Sequence, residues 1–281
     1  MRSELSPAGL GETGEAQYMT NPILIDTHCH LADKRLRPQI EGLLERAQAA
    51  GVQKIICASG SLQESSDAAS LAQQRQEVYC MAGLHPHEAA RAGEDYLQQI
   101  EQLALTDKNV AIGEIGLDYH YNYSPPADQR RVFAEQLELA GKLAKKVVIH
   151  TREAFAETMA ILHESDVDGQ DVVFHSCSEP QENIRQAVEA GAMIGFSGIL
   201  TFKKSHPLRQ AAETVPREQI LVETDAPYLS PEPVRKMRTN EPANVAHVAA
   251  CLAEINQIGA DAVASITTAN AVRFFGLPAI S

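Results

Sequence analysis

Residues 24–33 read LIDTHCHLAD, so two histidines one residue apart, His28 and His30, close an apolar run that already holds Asp26. Alternate side chains of a strand share a face. The spacing therefore predicts His28 and His30 pointing the same way, Cys29 pointing away, and Asp26 on the histidine face one step deeper. There Asp26 would accept a hydrogen bond and fix a histidine tautomer. Four more ionisable side chains end apolar runs: Glu114 in GEIGLD, His150 in KVVIH, His175 in DVVFH and Asp225 in LVETDAP. Burying such groups without partners costs about 2–7 kcal/mol each for neutral polar groups and far more for charges. Divalent cations would satisfy all six together. Imidazole and carboxylate ligands suit zinc, manganese, nickel or cobalt, and favour magnesium less. Six ligands exceed the needs of one four-coordinate ion. Two ions about 3.5–4 Å apart, bridged by Glu114 and a water, fit better. Such a pair makes a nucleophile of water at neutral pH and stabilises charge on a phosphoryl or acyl oxygen.

Other residues fall near the same strand ends. His85 and His87 flank Pro86 in AGLHPHEAA, and His85, closer to its strand, is the better candidate to touch a substrate. Arg152 follows His150 by two residues, so a guanidinium fork would stand beside the metals, apt for holding a phosphate. With Arg152, the loop cations Lys34, Arg35, Arg37, Lys203, Lys204, Arg235, Lys236 and Arg238 make nine of the 24 Lys and Arg. They predict a local basic rim on a chain of net charge −13, which would focus polyanions at one mouth. Tyr119, Tyr121 and Tyr123 in LDYHYNYS are candidates to stack on bases.

The elements that must position these groups are apolar runs rich in β-branched residues at 23–27, 52–58, 78–83, 109–113, 146–150, 171–175, 192–197 and 219–223. Helical periodicity separates them, clearest over 127–144, with two further helices near 242–257 and 260–275. Strict alternation implies parallel strands with helical crossovers. Eight units in one chain predict an α/β fold of the (β/α)8 TIM-barrel type, whose active sites lie at the C-terminal strand ends. Residues 22–281 are expected to form that single domain, after a flexible N-terminal extension over residues 1–21. Five scattered cysteines without a C-x-x-C point to a reducing, cytoplasmic setting. No apolar run approaches the roughly 20 residues of a membrane span, and no obligate protein partner is evident.

In order and spacing, IDTHCHL, GLHPH, GEIGLDYHY, VVIHTRE, SGILTFK, VETDAPYLSP and RTNEP resemble the TatD family of metal-dependent deoxyribonucleases, a branch of the amidohydrolase-type barrels. The resemblance covers about residues 23–277. It implies a metal-dependent nuclease acting on DNA, often from the 3′ end, as an exonuclease. Some members are said to act on RNA or to deacylate D-aminoacyl-tRNA, so an ester or amide hydrolase is the alternative. It also implies His28, His30, Glu114, His150, His175 and Asp225 as metal ligands, Glu114 as the bridge and Asp225 as acceptor of the water proton. His85 and Arg152 would grip the phosphate of a nucleic-acid substrate. One departure stands out: the family's H-C-F-S-G after strand six reads His175-Ser176-Cys177-Ser178-Glu179, which adds negative charge near the expected phosphate path. A second is milder, the R-E of 152–153 in place of a common R-D. A non-catalytic metal barrel is disfavoured because all six ligands are kept.

Overall fold

Alternation of side chains along eight strands divides the apolar residues into two sets, one inside a barrel and one beneath its helices. In the computed structural model residues 22–280 are described, and the extension expected over residues 1–21 lies outside them. The strands are β1 (Leu24–Cys29), β2 (Val52–Cys57), β3 (Val78–Ala82), β4 (Asn109–Asp118), β5 (Lys146–Arg152), β6 (Val172–Phe174), β7 (Met193–Phe196) and β8 (Ile220–Val222). They form one sheet in chain order, every pair parallel. β8 meets β1 through Thr27 Oγ1, which donates to Val222 O (3.0 Å), and through the amides of Asp225 and His30, which donate to His28 O (2.8 Å) and Ala226 O (2.7 Å).

The crossovers are α1 (Ile40–Ala49), α2 (Leu62–Gln74), α3 (Tyr96–Ala104), α4 (Pro126–Leu143), α5 (Phe155–Glu164), α6 (Gln181–Glu189) and α7 (His206–Glu213), followed by α8 (Val245–Asn256) and α9 (Ala260–Phe275). Ile25, Ile56, Met81, Ala111, Val148, Val173, Met193 and Leu221 fill the lumen, and Phe274 and Phe275 of α9 join that cluster. Leu24, Ile55, Cys57, Ile112, Val147, Ile149, Phe174 and Val222 face the helices in the larger cluster. Each fully buried aliphatic or aromatic side chain contributes about 1.5–3 kcal/mol, so both layers drive the assembly. No helix among the described residues is long and apolar enough to cross a membrane.

Two of the register shifts in the sheet lie just before residues of the mouth. Against β2, the register of β1 advances three residues, Asp26 to Cys29, while its partner advances two. Against β5, β4 does the same between Ile112 and Ile115. A bulge of this kind re-aims the side chains beyond it. Ile25 lies in the lumen, so in a regular strand His28, three residues on, would face the helices. With the extra residue His28 turns inward and Cys29 packs outward beside Leu24. The same step, from Ala111 in the lumen to Glu114, turns Glu114 inward.

The expected strand at 109–113 runs on to Asp118, that at 146–150 runs to Arg152, and β6 ends one residue before His175. β4 continues through its glycines because Gly116, at φ +140°, lies against β5: a Cβ there would stand 2.0 Å from His150 O. The backbone of His150 needs a bare Cα at that point.

Candidate metal centre

The six side chains picked out by spacing meet at the C-terminal mouth of the barrel. His28 Nε2 lies 3.4 Å from His30 Nε2, 3.4 Å from Glu114 Oε2 and 3.8 Å from Asp225 Oδ1. His30 Nε2 is 3.4 Å from Asp225 Oδ1. On the other side of Glu114, Oε1 is 2.7 Å from His175 Nε2 and 3.0 Å from His150 Nδ1. Ligand atoms fall into three sets, each within 4.8 Å: His28 with His30 and Asp225, His28 with Glu114 and His175, and His85 with Glu114 and His150. The first two sets share His28 and the last two share Glu114. Ring nitrogens facing one another and two carboxylates, with no lysine or arginine among the described residues ion-paired to either carboxylate, are a donor set that fits borderline divalent cations.

Local chain chemistry aims these groups. Asp225 adopts the left-handed conformation, φ 54°, which an aspartate tolerates better than most residues, and its carboxylate is turned to the mouth. Burial opposes its charge, yet the His30 hydrogen bond and the His28 imidazole hold Asp225 below the usual carboxylate range. Burial works against Glu114 as well, but the surrounding imidazoles, His175 foremost, keep it well below its ordinary value. Both carboxylates are thus ionised and able to ligate.

Two buried carboxylates that spacing did not single out stand behind the histidines. Asp118 Oδ2 lies 3.0 Å from His150 Nε2 and 3.0 Å from His87 Nε2. An ionised carboxylate only accepts, so His150 carries a proton on Nε2, which would leave Nδ1, on the Glu114 side, to supply the lone pair to a bound metal. Asp118 Oδ1 meanwhile accepts from the amides of His120 (3.0 Å) and Tyr121 (2.9 Å). Glu223, 1% exposed, accepts from the Ser176 amide (2.6 Å), and its Oε1 is 3.4 Å from His175 Nδ1. Its other oxygen occupies the space of an absent side chain, since a Cβ on Gly195 would fall 2.4 Å from Oε2. The signal for Asp118 was present: it follows Glu114 by four residues, the same face of a strand. Glu223 stands two residues before Asp225 but depends on Ser176 and Gly195, contacts that local spacing does not reveal.

Asp26 is not the tautomer-fixing acceptor that simple alternation implied. Its oxygens accept from the Thr224 amide (2.9 Å), Thr224 Oγ1 (2.6 Å) and the His28 amide (3.3 Å). It braces the backbones of β1 and the segment after β8, because the bulge has carried the imidazole away from it. Burial outweighs the Thr224 hydrogen bonds and pushes its pKa up to about 8.

His85, on the loop after β3, reaches into the centre. Its Nδ1 accepts from the His87 amide (3.1 Å), so the neutral ring holds its proton on Nε2, 3.3 Å from Glu114 Oε1. Burial lowers its pKa to about 4, which keeps it neutral and presents an N–H, not a lone pair, to the mouth. Arg152 is exposed and lies over the Tyr121 ring, 4.8 Å from its centroid. Part of the basic rim is neutralised: Arg35 is bound bidentately by Asp33 and Arg37 pairs with Asp67. Glu179 folds back on α6, accepting from Asn183 Nδ2 at 2.7 Å.

A parallel (β/α)8 barrel with imidazoles and carboxylates gathered at its C-terminal mouth defines the class of metal-dependent hydrolase barrels. Within that class, a family model described as TatD related DNase matches residues 25–276. The chain belongs to the TatD family. It is 34% identical over 253 residues to the uncharacterized metal-dependent hydrolase YabD of Bacillus subtilis, covering 90% of this chain and 99% of the relative. It is 33% identical over 258 residues to the 3'-5' ssDNA/RNA exonuclease TatD of Citrobacter koseri, covering 90% and 99%. The solved structure of YJJV, a TatD homolog from Escherichia coli K12, superposes with a TM-score of 0.86 at 30% identity, covering 91% of this chain and 98% of that one. The protein is a metal-dependent hydrolase of this family.

Proposed function

We propose that the protein is a deoxyribonuclease, acting as an exonuclease on single strands, with two divalent ions held by His28, His30, Glu114, His150, His175 and Asp225. The observation that carries the reading is the placement of Glu114, whose Oε2 lies 3.4 Å from His28 Nε2 and whose Oε1 lies 2.7 Å from His175 Nε2 and 3.0 Å from His150 Nδ1. A carboxylate with its two oxygens turned to two groups of imidazoles suits a pair of neighbouring ions. Bound there, such ions would neutralise phosphoryl charge and make water nucleophilic at neutral pH. The name of the Citrobacter koseri relative supports a nucleic-acid substrate.

The chain's own residues then have separate tasks. Asp225, ionised and about 14% exposed in its side chain, accepts the proton of the attacking water. His85 donates Nε2–H to a non-bridging phosphoryl oxygen once substrate displaces its contact with Glu114. Arg152 acts further out, at the rim, on the neighbouring phosphate of the strand. Asp118 and Glu223 position His150 and His175.

Stripping the protein with chelator and restoring Mg²⁺, Mn²⁺ or Zn²⁺ tests this, with labelled single- and double-stranded DNA, RNA and a D-aminoacyl-tRNA as substrates. Metal-restored cleavage of DNA that Asp225→Asn abolishes is the expected result. Cleavage of the aminoacyl ester alone, with DNA untouched under every metal, would overturn it.

A further inference from the structure

Two tyrosines between β4 and α4 stand beside the metal centre and keep much of their ring surface open to solvent among the described residues. Tyr121 is 47% and Tyr123 is 67% exposed. Their rings stack with centroids 5.3 Å apart and planes 13° from parallel. The Arg152 guanidinium lies over Tyr121 at 4.8 Å. His87 meets Tyr123 edge-on at 4.8 Å and Tyr121 at 5.7 Å.

The pair is held in place by the loop that carries it. Asp118 Oδ1 accepts from the Tyr121 amide, Asn122 Nδ2 donates to Tyr119 O at 2.7 Å, and Gln129 of α4 clasps both Asp118 and Ser124 backbones. Ser124 Oγ donates to His87 O at 2.9 Å, locking this loop to the one after β3. Preorganised aromatic surface binds without the entropic cost of ordering side chains. The platform also adjoins the chemistry: one carboxylate, Asp118, contacts both His87 beneath the tyrosines and His150 at the metal centre.

We infer that Tyr123, backed by Tyr121 and Arg152, is a stacking surface for an unpaired nucleobase adjacent to the phosphate at the metal centre. The inference rests on the nuclease reading of that centre and names its neighbouring base subsite. A ring face accepts any base, so the subsite selects unstacked single strands and not sequence. Arg152 places a cation beside the ring stack, where the strand's next phosphate passes.

The test uses the full chain carrying Asp225→Asn, with Mn²⁺, titrated into a single-stranded deoxyoligonucleotide bearing 2-aminopurine at its 3′ end. Binding should quench the 2-aminopurine emission. Adding Tyr123→Ala should weaken binding about 5- to 150-fold, the usual loss for one stacked base, and remove the quench, while Tyr123→Phe restores both. An oligonucleotide with an abasic 3′ end should bind equally weakly with or without Tyr123. Affinity within twofold for Tyr123→Ala, or for the abasic strand, overturns the subsite. Tyr123-dependent binding by a protein whose Asp225 form cuts no DNA would sink the nuclease reading and leave the subsite standing. DNA cleavage indifferent to Tyr123 would do the reverse.

Discussion

Replacing Asp118 by asparagine changes one atom and separates positioning from ligation. In the protein, Oδ1 accepts two loop amides while Oδ2 faces the ring nitrogens of His150 and His87, each at 3.0 Å. An asparagine keeps Oδ1 on the loop amides and turns its amino group toward His150. Two donors cannot face one another, so His150 must shift its proton from Nε2 to Nδ1, the nitrogen 3.0 Å from Glu114. The lone pair available to a metal is lost unless the ring or the loop rearranges. Loss of a carboxylate behind a ligating histidine ordinarily costs about 10- to 100-fold in metal affinity, which is about 1.4–2.7 kcal/mol. Calorimetric titration of the chelated protein with Zn²⁺ or Mn²⁺ reads this directly. Amide exchange at 119–123 should stay close to wild type in Asp118→Asn, because Oδ1 is retained, and should quicken in Asp118→Ala. An asparagine variant that binds metal within threefold of wild type, with unchanged exchange, would refute the tautomer argument.

Gly116→Ala should be among the most damaging single substitutions, lowering stability by more than about 3 kcal/mol in urea titration, since its Cβ would stand 2.0 Å from His150 O at φ +140°. Burial pushes the thiols of Cys57 and Cys177 up to about 12 and Cys80 to about 11; at pH 8 these three should resist iodoacetamide in the native protein and react in urea. Asp33 is held below its usual range first by the Arg35 hydrogen bond, so its contribution is present above the unfolded carboxylate pKa and lost as pH falls through the folded one. Arg35→Ala should therefore reduce stability at pH 7, by under about 1 kcal/mol given solvent screening, and by less as the pH falls and Asp33 protonates, with the Tyr228 ring contact of Arg35 left as the remainder, measured by denaturant midpoints across the acid range.

Much of this molecule was legible along the chain because its chemistry is one-dimensional. Buried parallel strands are short apolar runs, and a polar residue ending such a run points to the mouth whatever the partner strand. That logic reached His28, His30, Glu114, His150, His175 and Asp225. It stopped short at Asp118 because the apolar run was closed at Gly113, whereas Gly113 and Gly116 let the strand continue in close approach to β5. It mis-set Asp26 because a bulge leaves no mark in a pattern of apolar and polar residues. The basic rim was counted from positive residues alone, and the partners Asp33 and Asp67 lie on contacts that charge counting does not see.

Those two bulges make the barrel a device with two independent phases. Below Asp26 and Ile112, the odd-and-even indexing of β1 and β4 is set by the need to fill the lumen with Ile25 and Ala111. Above them the index restarts, and His28 and Glu114 are aimed by a different count. The lower storey can therefore exchange side chains, or be repacked by design, without rotating the ligands overhead. Conversely, deleting a single residue within 26–28 or 112–114 would leave the apolar floor intact while pointing one wall of the centre at the helices.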